Sequence, residues 1–413
     1  MTYNMEPAKK RLENIKSHLT PNLPEVVICA AYRTPLTKAK RGQLKDTTLE
    51  EMLAQVYSHI LKTTKVDPSQ IGEVVMGNVL KAGAAGMSLR MVQAMAGVPE
   101  EVPCFALNRM CASGLQACSS VANAIRSGEI QLGLAGGAES MSMYDMNGAV
   151  QPPLPERGFE IEQASNTVLP MGITSDNVVR KFNVSREKMD QMAAESHQKA
   201  LYAQENGLFD EEIVPIETQI VNKEGEKQKI VVTKDDGIRK GTTVQTLGKL
   251  RPAFGKNGGT TAGNSSQVTD GAAVVLLANR KTAEELNLPI LARWVTFAAV
   301  GVPADIMGVG PAYAIPKALA QAGLTVEDID VFEINEAFAS QATYCVEKLG
   351  ISKEKLNPKG GAIALGHPLG CTGARLVSTL LPELRRRKAR YGVVSMCIGS
   401  GMGAAAVVEN LVR

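Results

Sequence analysis

Aromatic side chains make up only 4% of these 413 residues, tryptophan occurs once, and there are four histidines. So few imidazoles argue against a metal site built on histidine, and no metal is expected. The seven cysteines are scattered and include no C-x-x-C pair. That spacing argues against a zinc site, and the odd number argues against a disulfide framework and for a reducing compartment. Excess charge is also scarce: a formal net charge of +3 is too weak to argue for a nucleic-acid partner. No apolar run is long enough to span a bilayer. The first residues lack the apolar core of a secretory signal.

Glycine, by contrast, is plentiful, with 38 residues, and suggests many tight turns and close packing. The balance of 44% hydrophobic and 21% charged residues is that of an ordinary globular chain. The length suits two or three domains or one large α/β unit. Apolar runs at Glu25–Ala30, Glu73–Gly77, Phe105–Leu107 and Leu132–Gly136 read as buried strands. A second set lies at Ala292–Ala299, Val331–Ile334, Ala362–Leu365, Val393–Met396 and Ala404–Glu409. Helical patterns fall between them, at Thr48–Leu61, Gly114–Ser127 and Ala312–Ala320. This alternation predicts parallel sheets with crossover helices.

The two sets repeat nearly in register. Val74-Val75-Met76-Gly77-Asn78 corresponds to Val331-Phe332-Glu333-Ile334-Asn335, and the distance from Asn78 to Cys111 (33 residues) nearly equals that from Asn335 to His367 (32). The repeat predicts two similar halves with Cys111 and His367 at matching strand-to-helix junctions. In open α/β sheets ligands collect at the C-terminal ends of strands. Two halves joined face to face would therefore bring both junctions to one site. Between the halves lies an insert, Ser142–Gln267, with a helical stretch at Arg186–Glu205 and a charged, hairpin-like stretch at Ile220–Val232.

Four short runs carry chemistry. Cys111 sits in Asn108-Arg109-Met110-Cys111-Ala112-Ser113-Gly114, just before a small-residue helix whose positive end favours a thiolate. His367 lies in Gly366-His367-Pro368-Leu369-Gly370, where it can take a thiol proton and donate to a developing oxyanion. Cys397 opens Cys397-Ile398-Gly399-Ser400-Gly401 and offers a second thiol for proton exchange. The fourth run is Asn335-Glu336-Ala337-Phe338. Cys29, Cys104, Cys118, Cys345 and Cys371 read as packing residues. His59 and His197 read as structural histidines on helix surfaces.

These runs, in this order, closely resemble the thiolases, of the peroxisomal 3-ketoacyl-CoA type, and the resemblance extends from about Glu25 to the C-terminus. It implies an α/β thiolase fold: two similar βαβαβαββ halves in α/β/α/β/α layers with an inserted loop domain. The first half would comprise residues 25–141 and 268–290, the coenzyme A-covering loop domain 142–267, and the second half 291–413. The implied activity is thiolytic cleavage of 3-ketoacyl-CoA by CoA, the last step of fatty-acid β-oxidation, in a homodimer. By resemblance Cys111 is the nucleophile that carries the acyl group, His367 its base and Cys397 the acid/base. The Gly399 and Cys111 amides would form one oxyanion hole, and His367 with a water held by Asn335 the second. Arg239, Thr246, Phe254, Ala262 and Ser266 match positions around the nucleotide and pantetheine of CoA. Met171 and Phe338 match the pantetheine end and acyl pocket. No metal or prosthetic group is implied, since CoA is a substrate.

The chain departs from that pattern beside the nucleophile. Met110 and Ala112 stand where many 3-ketoacyl-CoA thiolases have glutamine and serine, and alanine after the cysteine also occurs in acetoacetyl-CoA thiolases. Leu169-Pro170-Met171-Gly172 lacks the histidine of the biosynthetic type and favours the degradative one. A ketoacyl synthase would carry His or Asn at Cys397, and a non-catalytic acyl-CoA carrier would have lost Cys111, His367 or Cys397. Near the N-terminus, Arg11-Leu12, five residues and then His18-Leu19 fit the nonapeptide peroxisomal signal read by an import receptor, with Leu12, Ile15 and Leu19 on one helical face. Glu6 and Glu13 argue against a mitochondrial transit peptide, and Leu411-Val412-Arg413 is not the peroxisomal tripeptide.

Overall fold

In the computed structural model, residues 23–146, 154–222, 224–255 and 258–412 are described, and the nonapeptide Arg11–Leu19 falls outside them. β1 (Val26–Arg33) and the short β2 (Thr37–Lys38) lead through α1 (Leu49–Thr64) to β3 (Glu73–Gly77) and α2 (Gly86–Ala96). β4 (Cys104–Leu107), α3 (Ser113–Ser127) and β5 (Leu132–Ser140) complete this run. The insert supplies α4 (Met171–Phe182), α5 (Arg186–Glu205) and the hairpin of β6 (Ile216–Val221) and β7 (Lys227–Val232). β8 (Thr269–Asn279) then returns to the first half. The second half follows as β9 (Ala292–Gly301), α6 (Gly310–Ala322), β10 (Val331–Ile334), α7 (Ala339–Leu349), α8 (Leu369–Arg387), β11 (Tyr391–Ile398) and β12 (Met402–Asn410).

The strands form one path, β10-β11-β12-β9-β1-β8-β5-β3-β4, with β2 attached to β8. It is two repeats set back to back. β5 runs antiparallel to β8 and parallel to β3, as β11 runs antiparallel to β12 and parallel to β10. The repeats meet where β1 pairs with β9, at Val27–Arg293 and Ile28–Ala292. Helix α1, opened by a Thr48/Glu51 capping box, covers the outer face of the first half, and α6 covers that of the second. Between the two sheet halves lie α3 and α8. The result is five layers, helix, sheet, helix, sheet, helix, as the sequence led us to expect.

The middle layer is what brings the two junctions together. Leu115, Val121 and Ile125 of α3 and Leu376, Val377 and Leu380 of α8 are buried in one apolar core, each side chain contributing roughly 1.5–3 kcal/mol. The two helices also touch through backbone. A Cβ at Gly114 would lie 2.6 Å from the Gly370 carbonyl, and one at Gly373 would lie 2.2 Å from the Leu115 nitrogen. Any side chain there would part the helices whose first turns follow Cys111 and His367. A buried ion cluster ties the insert to both halves. Arg33 of β1 donates to Glu212 at 2.7 Å and to both oxygens of Asp235, and Lys359 meets the other Glu212 oxygen at 2.5 Å.

Two expectations need correction. Ala362–Leu365 is a single helical turn, not a strand. Four apolar residues cannot by themselves distinguish the two. Here Gly361 and Gly366 bracket the run, and the buried Glu336 carboxylate accepts the Ile363 N–H at 3.3 Å. His367 is thus at a turn-to-helix junction, and only Cys111 follows a strand. Conversely, β8 was not among the expected strands, although Ala272–Ala278 is continuously apolar and wholly buried. It is the central strand between β1 and β5 and lacks the alternation that marks a half-exposed one.

Candidate functional site

A locked turn presents the nucleophile candidate. Asn108 Oδ1 accepts the Met110 N–H at 2.8 Å, and Ser113 Oγ accepts the Arg109 N–H at 2.9 Å while donating to the Met110 carbonyl at 2.7 Å. Met110 is held at φ 48°, in the left-handed region, which costs a residue with a Cβ about 1–2 kcal/mol. Cys111 follows, one residue before the Ala112 cap of α3. Burial pushes its thiol up to about 11, although the Gly399 N–H and its own N–H act in the other direction. The donors at the helix start favour the thiolate without producing one at rest. The sulfur needs a base.

His367 has the protonation state that a base needs. Burial, aided by the charge of Arg375, lowers the imidazole to about 3, so the ring is neutral. Its Nδ1 lies 2.6 Å from Thr372 Oγ1, and that hydroxyl donates its one hydrogen to the Pro368 carbonyl at 3.0 Å. Nδ1 must then carry the proton and donate to Thr372, which leaves Nε2 unprotonated and able to accept. Asn335 Nδ2 lies 3.3 Å from Nε2, and Asn335 Oδ1 is buried without a hydrogen bond among the described residues. The backbone at His367 is fixed too, its N–H donating to the Gln267 carbonyl at 3.0 Å.

Cys397 ends β11 within the same wall. Its Sγ–H donates to Gln341 Oε1 at 3.5 Å. Burial raises this thiol well above its ordinary value, and the nearby Cys111 sulfur raises it further. Gly399, two residues on, aims its N–H at Cys111. A Cβ at Gly399 would lie 3.6 Å from Met171 Sδ. Cys111, Cys397 and Gly399 thus share one site, which Met171 borders, and Asn335 and His367 meet beside each other.

An apolar cluster surrounds the Cys397 sulfur. Cys397 packs with Met307, Ala337, Met171 and Phe338. Phe338 meets Phe254 edge to face with ring centres 6.4 Å apart, and the half-exposed Phe254 ring rests on Gly172, where a Cβ would meet it at 2.3 Å. Ser266 donates its N–H to the Ala337 carbonyl at 2.9 Å. Ala262, Thr246 and Arg239 are exposed. Thr243 caps the short helix Val244–Gly248, and Thr246 completes its capping box.

Several residues were missed or misread from sequence. Thr372 and Gln341, the partners of His367 and Cys397, carried no signal beyond their place in helices. Glu139, at the end of β5, is fully buried and accepts from Asn78 Nδ2 and from the N–H groups of Val79, Leu80 and Gly370, joining the first half to the start of α8. Burial pushes its carboxyl up to about 7 against the pull of those donors. His197 does not lie on a helix surface: it is buried, and its Nδ1 accepts the Arg239 N–H at 3.2 Å. Cys118 and Cys371 are buried packing residues, as expected.

Comparison with known proteins agrees with this architecture. The thiolase N-terminal domain matches residues 26–281 and the thiolase C-terminal domain residues 288–410. The mouse peroxisomal 3-ketoacyl-CoA thiolase B is 56% identical over 392 residues, covering 95% of this chain and 92% of its own. The human peroxisomal 3-ketoacyl-CoA thiolase is 56% identical over 386 residues, 93% of this chain and 91% of its own. The crystal structure of the dimeric peroxisomal thiolase of Saccharomyces cerevisiae superposes with a TM-score of 0.87 at 47% identity, covering 96% of this chain and all of that one. The chain belongs to the thiolase family.

Proposed function

We propose that this protein is a 3-ketoacyl-CoA thiolase, an acetyl-CoA C-acyltransferase that uses CoA to cleave 3-ketoacyl-CoA into acetyl-CoA and a shortened acyl-CoA in β-oxidation. The single observation that carries the reading is the meeting of two thiols and one backbone donor: Cys111 faces the Gly399 N–H with Cys397 beside it. High identity to named 3-ketoacyl-CoA thiolases supports the substrate class.

The proton inventory fits two acyl transfers. His367 Nε2 takes the Cys111 proton as sulfur attacks the 3-keto carbon, and the Gly399 and Cys111 amides hold the oxyanion. The C2–C3 bond breaks, and the Cys397 thiol protonates C2 of the departing enolate to give acetyl-CoA. Asn335 and His367 serve the enolate oxygen, and the unpaired Asn335 Oδ1 is suited to hold a water there. In the second half, Cys397 takes the proton of free CoA, whose sulfur attacks the acyl group on Cys111. Cys111 regains its proton from His367. Splitting the reaction through a covalent intermediate predicts ping-pong kinetics. No metal or prosthetic group enters, and CoA is consumed as a substrate.

The insert 142–267 is read as the CoA-covering domain, between a first half of 25–141 plus 268–290 and a second of 291–413. Arg239 faces the nucleotide end, with Thr246, Ala262 and Ser266 along the way. Phe254, Phe338 and Met171 line pantetheine and the acyl entrance. A homodimer is supported by the open edge of β4 beside Met87, Met91 and Met95 of α2, three exposed methionines at i, i+4 and i+8, of which Met87 is 92% exposed. The names of the relatives and the nonapeptide Arg11-Leu12…His18-Leu19 support a peroxisomal address recognised by an import receptor. Among the described residues no helix is long and apolar enough to cross a membrane.

The test is to add acyl-labelled 3-ketoacyl-CoA without CoA and map the label. One acyl group on Cys111 and one released acetyl-CoA per active site are expected. Label on Cys371 or Cys118 would remove the assignment. Rates across chain lengths then separate this substrate class from acetoacetyl-CoA, which should be cleaved more slowly than medium chains.

A further inference from the structure

Helix α5 carries a polar stripe that the catalytic scheme does not use. Arg186, Asp190 and His197 fall at i, i+4 and i+11, within about one ninth of a turn of each other on a 3.6-residue helix. All three grip the segment that runs from Arg239 to Asn264. Arg186 Nη2 donates to the carbonyls of Leu247 at 2.7 Å and Leu250 at 3.0 Å. Asp190 accepts from Arg186 at 2.8 Å and from Asn264 Nδ2 at 3.0 Å. His197 accepts the Arg239 N–H at 3.2 Å.

The grip at Arg239 is two-sided. Its N–H goes to His197, and its carbonyl accepts from Thr242 Oγ1 at 2.9 Å. The side chain itself is left in solvent. A guanidinium whose backbone is pinned at both ends, but whose head has no hydrogen bond or ion pair among the described residues, is preorganised for an anionic ligand. The neighbouring residue on α5 works on the other side of the site. Ser196 Oγ donates to the buried Glu336 at 2.6 Å and accepts the Gly361 N–H at 3.0 Å. One turn of α5 therefore fixes both the approach to His367 and the seat of Arg239.

We infer that His197 is a positioning residue for the nucleotide end of coenzyme A, fixing the backbone from which Arg239 reaches the phosphates. This rests on the reading of Arg239 given above. His197 can do so because Nδ1 stays unprotonated: burial and the charges of Arg239 and Lys38 lower the imidazole to about 4.

The selective readout compares CoA with pantetheine, which has the thiol arm but no nucleotide, as the acceptor in thiolysis at saturating 3-ketoacyl-CoA. His197→Leu is expected to raise KM for CoA about tenfold, the scale of one weakened charge-assisted hydrogen bond. KM for pantetheine and kcat with it should stay within about twofold of the wild type. His197→Gln, which keeps an acceptor, should restore most of the CoA affinity. Thr242→Ala, at a half-buried position, should show the same CoA-selective rise at smaller size, and it serves if His197→Leu does not fold. Combining His197→Leu with Arg239→Ala should add nothing to the effect of Arg239→Ala alone. Equal KM increases for CoA and pantetheine, or none for CoA, would overturn the positioning role. If Arg239→Ala itself fails to separate CoA from pantetheine, the Arg239 reading falls and this inference falls with it.

Discussion

Asn78 and Asn335 occupy the same place in the two halves, each just past a parallel strand, and they do opposite things. Asn78 is saturated: Nδ2 donates to the Ala138 carbonyl and to Glu139, and Oδ1 accepts the Lys81 N–H. Asn335 reaches only His367 through Nδ2 and keeps a buried oxygen without a hydrogen bond among the described residues. The junctions that follow diverge likewise. β4 leads into Cys111 along an open sheet edge, whereas the turn Ala362–Leu365 leads into His367 under α5. Buried polar groups are nearly always paired, so an orphan in one repeat whose twin is satisfied marks the half reserved for a ligand or water. The first half ties its junction into a closed polar frame, and the second leaves a buried acceptor open beside His367 among the described residues.

The comparison breaks hardest at the junction residues themselves. Cys111→Ala should remove both half-reactions, with a loss on the order of 10⁴-fold or more in kcat, because the group forming the covalent intermediate is gone. Single-turnover release of acetyl-CoA measures it. A variant that still releases a stoichiometric burst would show that another thiol carries the acyl group.

The two asparagines give the next contrast. Asn335→Ala should lower kcat by roughly 10²–10³, the usual size for losing an oxyanion-hole contribution, with little loss of stability. Asn78→Ala should leave kcat within a few-fold but destabilise the fold by about 1–3 kcal/mol, since Glu139 loses a donor in a buried site. Paired kinetics and denaturant melts check both. Similar profiles for the two variants would mean that the repeats are not divided as described.

A smaller effect is expected at Thr372. Thr372→Val removes the acceptor that keeps the proton on His367 Nδ1, and kcat should fall on the order of tenfold to a hundredfold, as when a functional imidazole loses its outer partner. Thr372→Ser should recover it. KM should hardly move in either variant, and nitrogen chemical shifts of the ring report which tautomer is present. An unchanged Nδ1–H tautomer in Thr372→Val would take the tautomer role away from the hydroxyl.

How much of this was legible beforehand depended on the kind of signal. The layered α/β plan followed from alternating apolar runs, and the family from glycine-flanked Cys and His runs in a specific order. β8 escaped because a fully buried strand has no alternation, and Ala362–Leu365 was misread because glycine neighbours and a carboxylate 26–29 residues upstream decide its shape. Thr372, Gln341 and His197 escaped for a common reason. Each acts through a hydrogen bond whose partner the residue type does not reveal, five residues back for Thr372 and His367, 56 away for Gln341 and Cys397, and 42 away for His197 and Arg239. Residue type alone does not announce such a role, and the surface reading of His197 failed because the helix it sits on is covered by the Arg239 segment.

The last contrast is between the two ends of the pH scale. Cys111 is raised in the fold from 9.0 to about 11, and His367 is lowered from 6.5 to about 3. The unfolded chain therefore loses the cysteine proton first as pH rises and gains the histidine proton first as pH falls. Stability associated with Cys111 is present below pH 9 and is lost as pH climbs toward about 11. Stability associated with His367 is present above pH 6.5 and is lost as pH drops toward about 3. Each group contributes a slope of at most about 1.4 kcal/mol per pH unit inside its window. Other buried cysteines share the alkaline window, so differences between variant and wild type are the quantity to read. Cys111→Ala should flatten only the alkaline limb, by one proton, and His367→Asn only the acid limb. Urea melts at intervals of half a pH unit give both slopes. If Cys111→Ala changed the acid limb as well, the resting pair would be a thiolate and an imidazolium, and the neutral ground state described for this site would be wrong.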